Sequence, residues 1–237
     1  MLVQVILVDI NPRMVQAWQS TFEENPEVQI VQGSMLDQQV DAWVSPTNAK
    51  GSMDGGLDAI IKGYLGAQIE ARVQKDIARF YHGVMPLGYA TCVPTGHAVP
   101  KFLISTPTMV ASSQDVSDTL NVALACSAAF QAVHMQNARD PGSIRSVALP
   151  GLGANTGKVP PEICADLMWT GYNLFREQEF TDFGAMRVAL EQQLGTLDPT
   201  AAPPPKKSAP SPPSKSSGSQ PKPPPPKKLD VDFDDAE

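Results

Sequence analysis

The chain has 237 residues, 42% of them hydrophobic, a formal net charge of −7 and three cysteines. That length supports one substantial core plus an appendage, and the acidic balance excludes bulk electrostatic attraction to nucleic acid. No run reaches the roughly 18 apolar residues needed to span a bilayer, so no membrane partner is expected.

The opening segment MLVQVILVDINPR has a short apolar run and no small-residue cleavage site, so it reads as a buried strand rather than a signal peptide. Leu2 to Val8 is that strand, apolar on both faces. Asn11 is placed to cap a helix with Pro12 at its first position, and Met14, Val15, Trp18 and Phe22 follow at helical spacing before Pro26 ends it. Strands are expected at Val28–Val31 and Val40–Val44. A Gly-rich loop, Lys50 to Gly56, then leads into one long helix from Leu57 to Tyr81. Two more strands, Gly88–Pro94 and Lys101–Thr106, join through Thr95-Gly96-His97. A helix is expected over Val116–Gln136, a strand over Ile144–Leu149, then a second Gly-rich loop, Pro150 to Gly157. Helices over Pro160–Glu179 and Phe183–Gln193 close the folded part.

Strands alternating with helices imply an α/β fold, a mostly parallel sheet covered on both faces. Ligands of such sheets sit beyond the carboxyl ends of the strands, where both Gly-rich loops should lie. The composition changes near residue 198. Domain 1–197 reads as globular. Segment 198–237 is Pro/Lys-rich with an acidic end, has almost nothing apolar to bury, and is expected to be a disordered tail. After Pro199 it carries six lysines against five acidic residues, leaving the folded part near −8. Its Pro-rich blocks favour extended polyproline II. Its end, Leu229 to Glu237, suits either a solubilising tail or a docking peptide that presents Phe233 to a protein partner.

Cys92, Cys126 and Cys164 are far apart with no CxxC pair, so a reducing, cytoplasmic setting is expected. His82, His97 and His134 do not cluster with them, so no metal site is expected. Cys92 and Cys126 read as small core residues. Trp18, Trp43 and Trp169 are expected to pack the core, and Tyr89 and His97 to be structural.

Chemistry concentrates in the two loops. In Val44-Ser-Pro-Thr-Asn48 and the residues after it, Asn48 offers a donor and an acceptor that suit a ribose hydroxyl pair. Gly55 and Gly56 let backbone approach a ligand closely. Asp58 lies in the first turn of the next helix, where both capping and chemistry suit it. In the second loop, Gly151, Gly153 and Gly157 can turn backbone N–H groups toward an anion. The loop follows a late strand and lacks the spacing of a Rossmann fingerprint, and no GxxxxGK(S/T) is present.

Val44-Ser-Pro-Thr-Asn48 followed by Met53-Asp-Gly-Gly-Leu-Asp58, then Pro94-Thr-Gly96 with Phe102-Leu-Ile-Ser-Thr106, then Ala148-Leu-Pro-Gly-Leu-Gly153 through Gly157, resemble the macro domain family in order and spacing. The likeness covers roughly residues 1 to 180 and is nearest a bacterial and phage branch. It implies a three-layer α/β/α fold with a mixed sheet, and binding of ADP-ribose or a related nucleotide-sugar metabolite without any cofactor. Asn48 would contact the distal ribose. Gly51, Met53, Gly55 and Gly56 would line ribose and diphosphate. Gly151, Leu152, Gly153, Ala154, Asn155, Thr156 and Gly157 would wrap the diphosphate. Asn48 and Asp58 would be the catalytic pair in a hydrolytic member. At Gly33-Ser34 the family carries Gly-Asp, so the charge-assisted contact to adenine is gone. Asp9, Ile10, Ser34 and Met35 remain as the adenine side, and another base stays open. Three functions follow: a binder of ADP-ribose derivatives, a hydrolase acting on an ADP-ribosylated macromolecule or a distal-ribose ester, and a non-catalytic scaffold whose tail recruits a partner.

Overall fold

A computed structural model of the chain describes residues 3–195; the expected tail, 198–237, lies outside them. Strand β1 (Gln4–Asp9) leads into helix α1 (Pro12–Thr21), which Asn11 caps by accepting from the Arg13 N–H. β2 (Val28–Gln32), a 3-10 turn (Met35–Asp37) and β3 (Ala42–Ser45) follow. Next come α2 (Gly56–Leu65), α3 (Gln68–Tyr81), β4 (Thr91–Pro94) and β5 (Phe102–Ser105). α4 (Asn121–Arg139), β6 (Ser146–Leu149), α5 (Pro161–Glu177) and α6 (Phe183–Gln193) complete the order. The sheet order is β2-β1-β6-β3-β5-β4, parallel except for the antiparallel β4–β5 pair.

The continuous apolar run of β1 has a simple cause. Val5 and Leu7 enter a core shared with Trp18, Phe130 and Leu190, from α1, α4 and α6. Ile6 and Val8 enter a second core with Ile61, Val73 and Ile77, from α2 and α3. The sheet is therefore the middle of three layers, and both faces of its central strands must be apolar.

The single helix expected over Leu57–Tyr81 is two helices. Gly66, at φ +91°, lets the chain turn between them. Ile61 and Leu65 before the break, and Ile69, Val73 and Ile77 after it, pack the same face of the sheet, so the apolar periodicity runs on through the turn. α4 begins at Asn121 rather than Val116; ahead of it Thr119 closes a turn on the Val116 carbonyl through its N–H at 3.1 Å and its hydroxyl at 2.8 Å, and the Val116 N–H donates to the Gly157 carbonyl at 3.0 Å. Trp169, expected in the core, is 38% exposed, and its indole N–H donates to Asn25 at 3.0 Å. Trp18 and Trp43 are buried as expected. Among the described residues no helix is long and apolar enough to cross a membrane.

Candidate functional site

β6 lies between β1 and β3, so the loop after β6 emerges between the ends of those two strands. The loop after β3 begins as an extension of the sheet. Thr108 N–H donates to Thr47 and Ala49 N–H to Met109, at 3.2 and 3.0 Å. This buries Asn48, which is 8% exposed. Its Oδ1 accepts from Lys50 N–H at 2.9 Å and Ser52 N–H at 3.2 Å, while its Nδ2 donates to Ser112 Oγ at 2.9 Å.

The next residues divide into those that pack and those that stay open. A Cβ on Gly51 would lie 2.7 Å from both Val73 and Ile77, so this glycine serves the close approach of the loop to α3. The Met53 side chain is fully buried, and its N–H donates to Glu70 Oε1 at 2.7 Å. Gly55 starts α2 with no side-chain cap and open space where a Cβ would stand. A Cβ on Gly56, at φ +56°, would lie 3.7 Å from Thr156 Oγ1 of the second loop.

Glu70 is a buttress that sequence inspection passed over. Besides Met53 it holds Lys62 at 3.1 Å. The Met53 N–H, and then Lys62, keep its carboxyl below the ordinary range despite partial burial. Glu70→Ala is expected to cost about 2 kcal/mol at pH 7 by stranding the Met53 N–H and the lysine. A depressed carboxyl stabilises the fold above its unfolded pKa and loses that effect as pH falls through its folded one. The gap from wild type, followed by urea denaturation, should therefore close below about pH 4.

Asp58 is half-buried in the first turn of α2. The Ser45 hydroxyl donates to its Oδ1, and Oδ2 has no partner among the described residues. Burial pushes this carboxyl up to about 6; the Ser45 bond opposes the rise and Asp54 adds to it.

The second loop is anchored at its start, where Gly151 N–H donates to Asp9 Oδ2 at 3.2 Å. Leu152 is buried in the core. Gly153, at φ +69°, packs on Val122 and Val159, and Gly157 packs on the Gly153 carbonyl and Val116. Lys158 N–H returns to Asn155 and Val159 N–H to Gly153, each at 3.1 Å, which folds the loop on itself. Ala154 N–H reaches only Gly151, at 3.4 Å. The N–H groups of Gly153, Asn155, Thr156 and Gly157 have no acceptor among the described residues. Backbone donors in this state require water or a ligand.

The sequence model of the Macro domain family matches residues 44–168, more than half of the chain. The chain belongs to the macro domain family. An uncharacterized protein of Aquifex aeolicus (strain VF5) is 30% identical over 142 residues, 60% of this chain and 78% of that protein. The fold is similar to the macrodomain of Mycobacterium tuberculosis DarG, with a TM-score of 0.51 and 22% identity over 62% of this chain and 90% of that one. It is also similar to the Oceanobacillus iheyensis macrodomain solved with ADP, at 0.50 and 14% over 70% and 90%.

In this macro domain a third segment, between β5 and α4, joins the two Gly-rich loops. Met109 pairs with Asn48, and Ser112 takes its amide donor. Further along, Asp115 pairs with Lys158 at 3.3 Å, and Val116 meets Gly157 through backbone and side chain. Sequence inspection passed over residues 107–115. At the carboxyl end of β1, Asp9 holds two backbone N–H groups, of Asn11 and Gly151. Ser34 accepts from Leu36 N–H at 3.1 Å, capping the 3-10 turn. Met35 is buried and Ile10 is 75% exposed. A separate hollow of about 590 Å³, walled by Val3, Val5, Phe130 and Phe175, lies at the opposite end of β1 and touches neither loop.

Proposed function

We propose that the cleft binds ADP-ribose or a related ribose-diphosphate metabolite. The observation that carries this reading is the set of unpaired N–H groups at Gly153, Asn155, Thr156 and Gly157, in a loop whose Thr156 hydroxyl would lie 3.7 Å from a Cβ on Gly56 at the uncapped start of α2. Two sets of backbone donors meeting at one gap suit a diphosphate. Asn48 then meets the distal ribose, with its donor transferred from Ser112 to a ribose hydroxyl. Ile10 and Ser34 meet the base, which is read without a free carboxylate. That the similar Oceanobacillus iheyensis macrodomain was solved with ADP supports the same ligand class.

The test is calorimetry of ADP-ribose with wild type and Asn48→Asp. The aspartate keeps the acceptor for Lys50 and Ser52 N–H, so the loop holds. It removes the donor and adds a negative charge beside an anionic ligand, and a loss of about 1.5–3 kcal/mol, roughly tenfold or more in affinity, is expected. Silence at millimolar ADP-ribose, its 1″-phosphate, its acetyl ester and NAD would sink the reading.

One observation favours turnover as well. Asp58 combines a raised proton affinity with an unpartnered oxygen, the state of a group that can hold or accept a proton near neutral pH. The reaction class would be hydrolysis of an ADP-ribosyl linkage to a macromolecule or of an ester on the distal ribose.

A further inference from the structure

We propose that Ser45 is the positioning residue for Asp58, turning the carboxyl so that Oδ1 is held by the strand end and Oδ2 is left for the ligand. The proposal rests on the ADP-ribose reading for what Oδ2 meets, and on this chain alone for the Ser45–Asp58 unit. Ser45 is fully buried as the last residue of β3. Its backbone is fixed from two sides, because its carbonyl accepts from Thr47 N–H at 3.0 Å and Thr106 N–H at 3.1 Å. The direction of its Cα–Cβ bond is therefore set by the sheet, and Asp58 is the one partner of its hydroxyl among the described residues.

Asp58 stands three residues after the Gly55 cap, the position from which an acid closes a capping box on the cap N–H. It does not do so. The start of α2 has no side-chain cap, and the carboxyl turns to Ser45 instead. Helix capping thus does not account for its orientation. The one charged group acting on it is Asp54, from the loop before α2. With a like charge on one side and partial burial, the ionised carboxylate has one hydrogen bond among the described residues, from the hydroxyl of Ser45. That contact sets both which oxygen is free and how readily it takes a proton.

The decisive measurement is a carbon-13 NMR titration of the Asp58 carboxyl in wild type, Ser45→Ala and Ser45→Thr, with Asp58→Asn used for assignment. Loss of a hydrogen bond to a charged acceptor should tighten the hold of Asp58 on its proton about tenfold in Ser45→Ala. Threonine, which keeps the hydroxyl, should restore the wild-type midpoint. The pH dependence of ADP-ribose affinity should move with that midpoint, which a merely structural role would not produce. If alanine does not fold, Ser45→Cys keeps a donor at the same position, though a weaker one, and the midpoint should rise by less in the same direction. An unchanged midpoint in the folded variant overturns the proposal. A shifted midpoint in a protein that binds no ADP-ribose overturns the ligand reading and leaves the Ser45–Asp58 unit standing.

Discussion

Replacing Asp58 with asparagine is expected to stabilise the protein by about 2 to 3 kcal/mol at pH 8 and to leave it unchanged at pH 4. The sign follows from the direction of the shift. Burial first, with Asp54 adding to it, lifts this carboxyl from an ordinary 3.8 to about 6 in the folded state. The folded protein then binds the proton more tightly than the unfolded chain. Its contribution is fully present below about pH 4 and is lost as pH rises through about 6. Asparagine carries no charge to desolvate and can still accept from Ser45, so it escapes that loss. Urea denaturation at pH 4, 6 and 8 would read the difference. A constant gap across the three values, or a loss at pH 8, would count against a raised Asp58. A group kept in the fold at such a cost is more readily understood as a working group than as a structural one.

Gly157→Ala is expected to be the most damaging single methyl group in the cleft. The new Cβ would lie 2.6 Å from the Gly153 carbonyl oxygen and 2.7 Å from Val116. Neither neighbour can withdraw freely. The carbonyl accepts from Val159 N–H, and Val116 is tied to the Gly157 carbonyl. Overpacking of this kind costs about 2 to 3 kcal/mol, or on the order of 5 to 10 °C in Tm for a domain of this size. It should also remove detectable ADP-ribose binding, because the row of N–H groups is displaced. Gly55→Ala is the control. Its backbone is extended, at φ −152°, and a Cβ there meets open space. Its stability should stay within about 0.5 kcal/mol of wild type. Equal losses at the two positions would refute the argument.

These two glycines show what the sequence could and could not reveal. The Gly-rich loops, their place after β3 and β6, and the strands beneath them were legible because turn residues and apolar runs are local signals. What faces a missing Cβ is not local. Gly51, Gly153 and Gly157 read as ligand glycines, yet their missing side chains make room for α3, Val122 and Val116. Gly66 was invisible for the opposite reason, since the apolar spacing of Ile61 and Ile69 continues across it onto one sheet face. Val116 to Leu120 has helical spacing, but it forms a turn that Thr119 closes on the Val116 carbonyl, while the Val116 N–H meets a loop distant in sequence. Ser45, Glu70 and Ser112 are ordinary residues whose partners lie 13, 17 and 64 positions away. Only the folded chain brings each of them to its partner.

The segment from Met109 to Val116 also bears on how the two halves of the cleft are calibrated. It grips Asn48 at one end and Gly157 at the other. On the proposed ADP-ribose reading, the ribose side and the phosphate side take their spacing from one short stretch of backbone, like the jaws of a caliper set by a single beam. A residue added to or removed from that stretch would not disturb one half alone. It would change the length of ligand that the cleft measures.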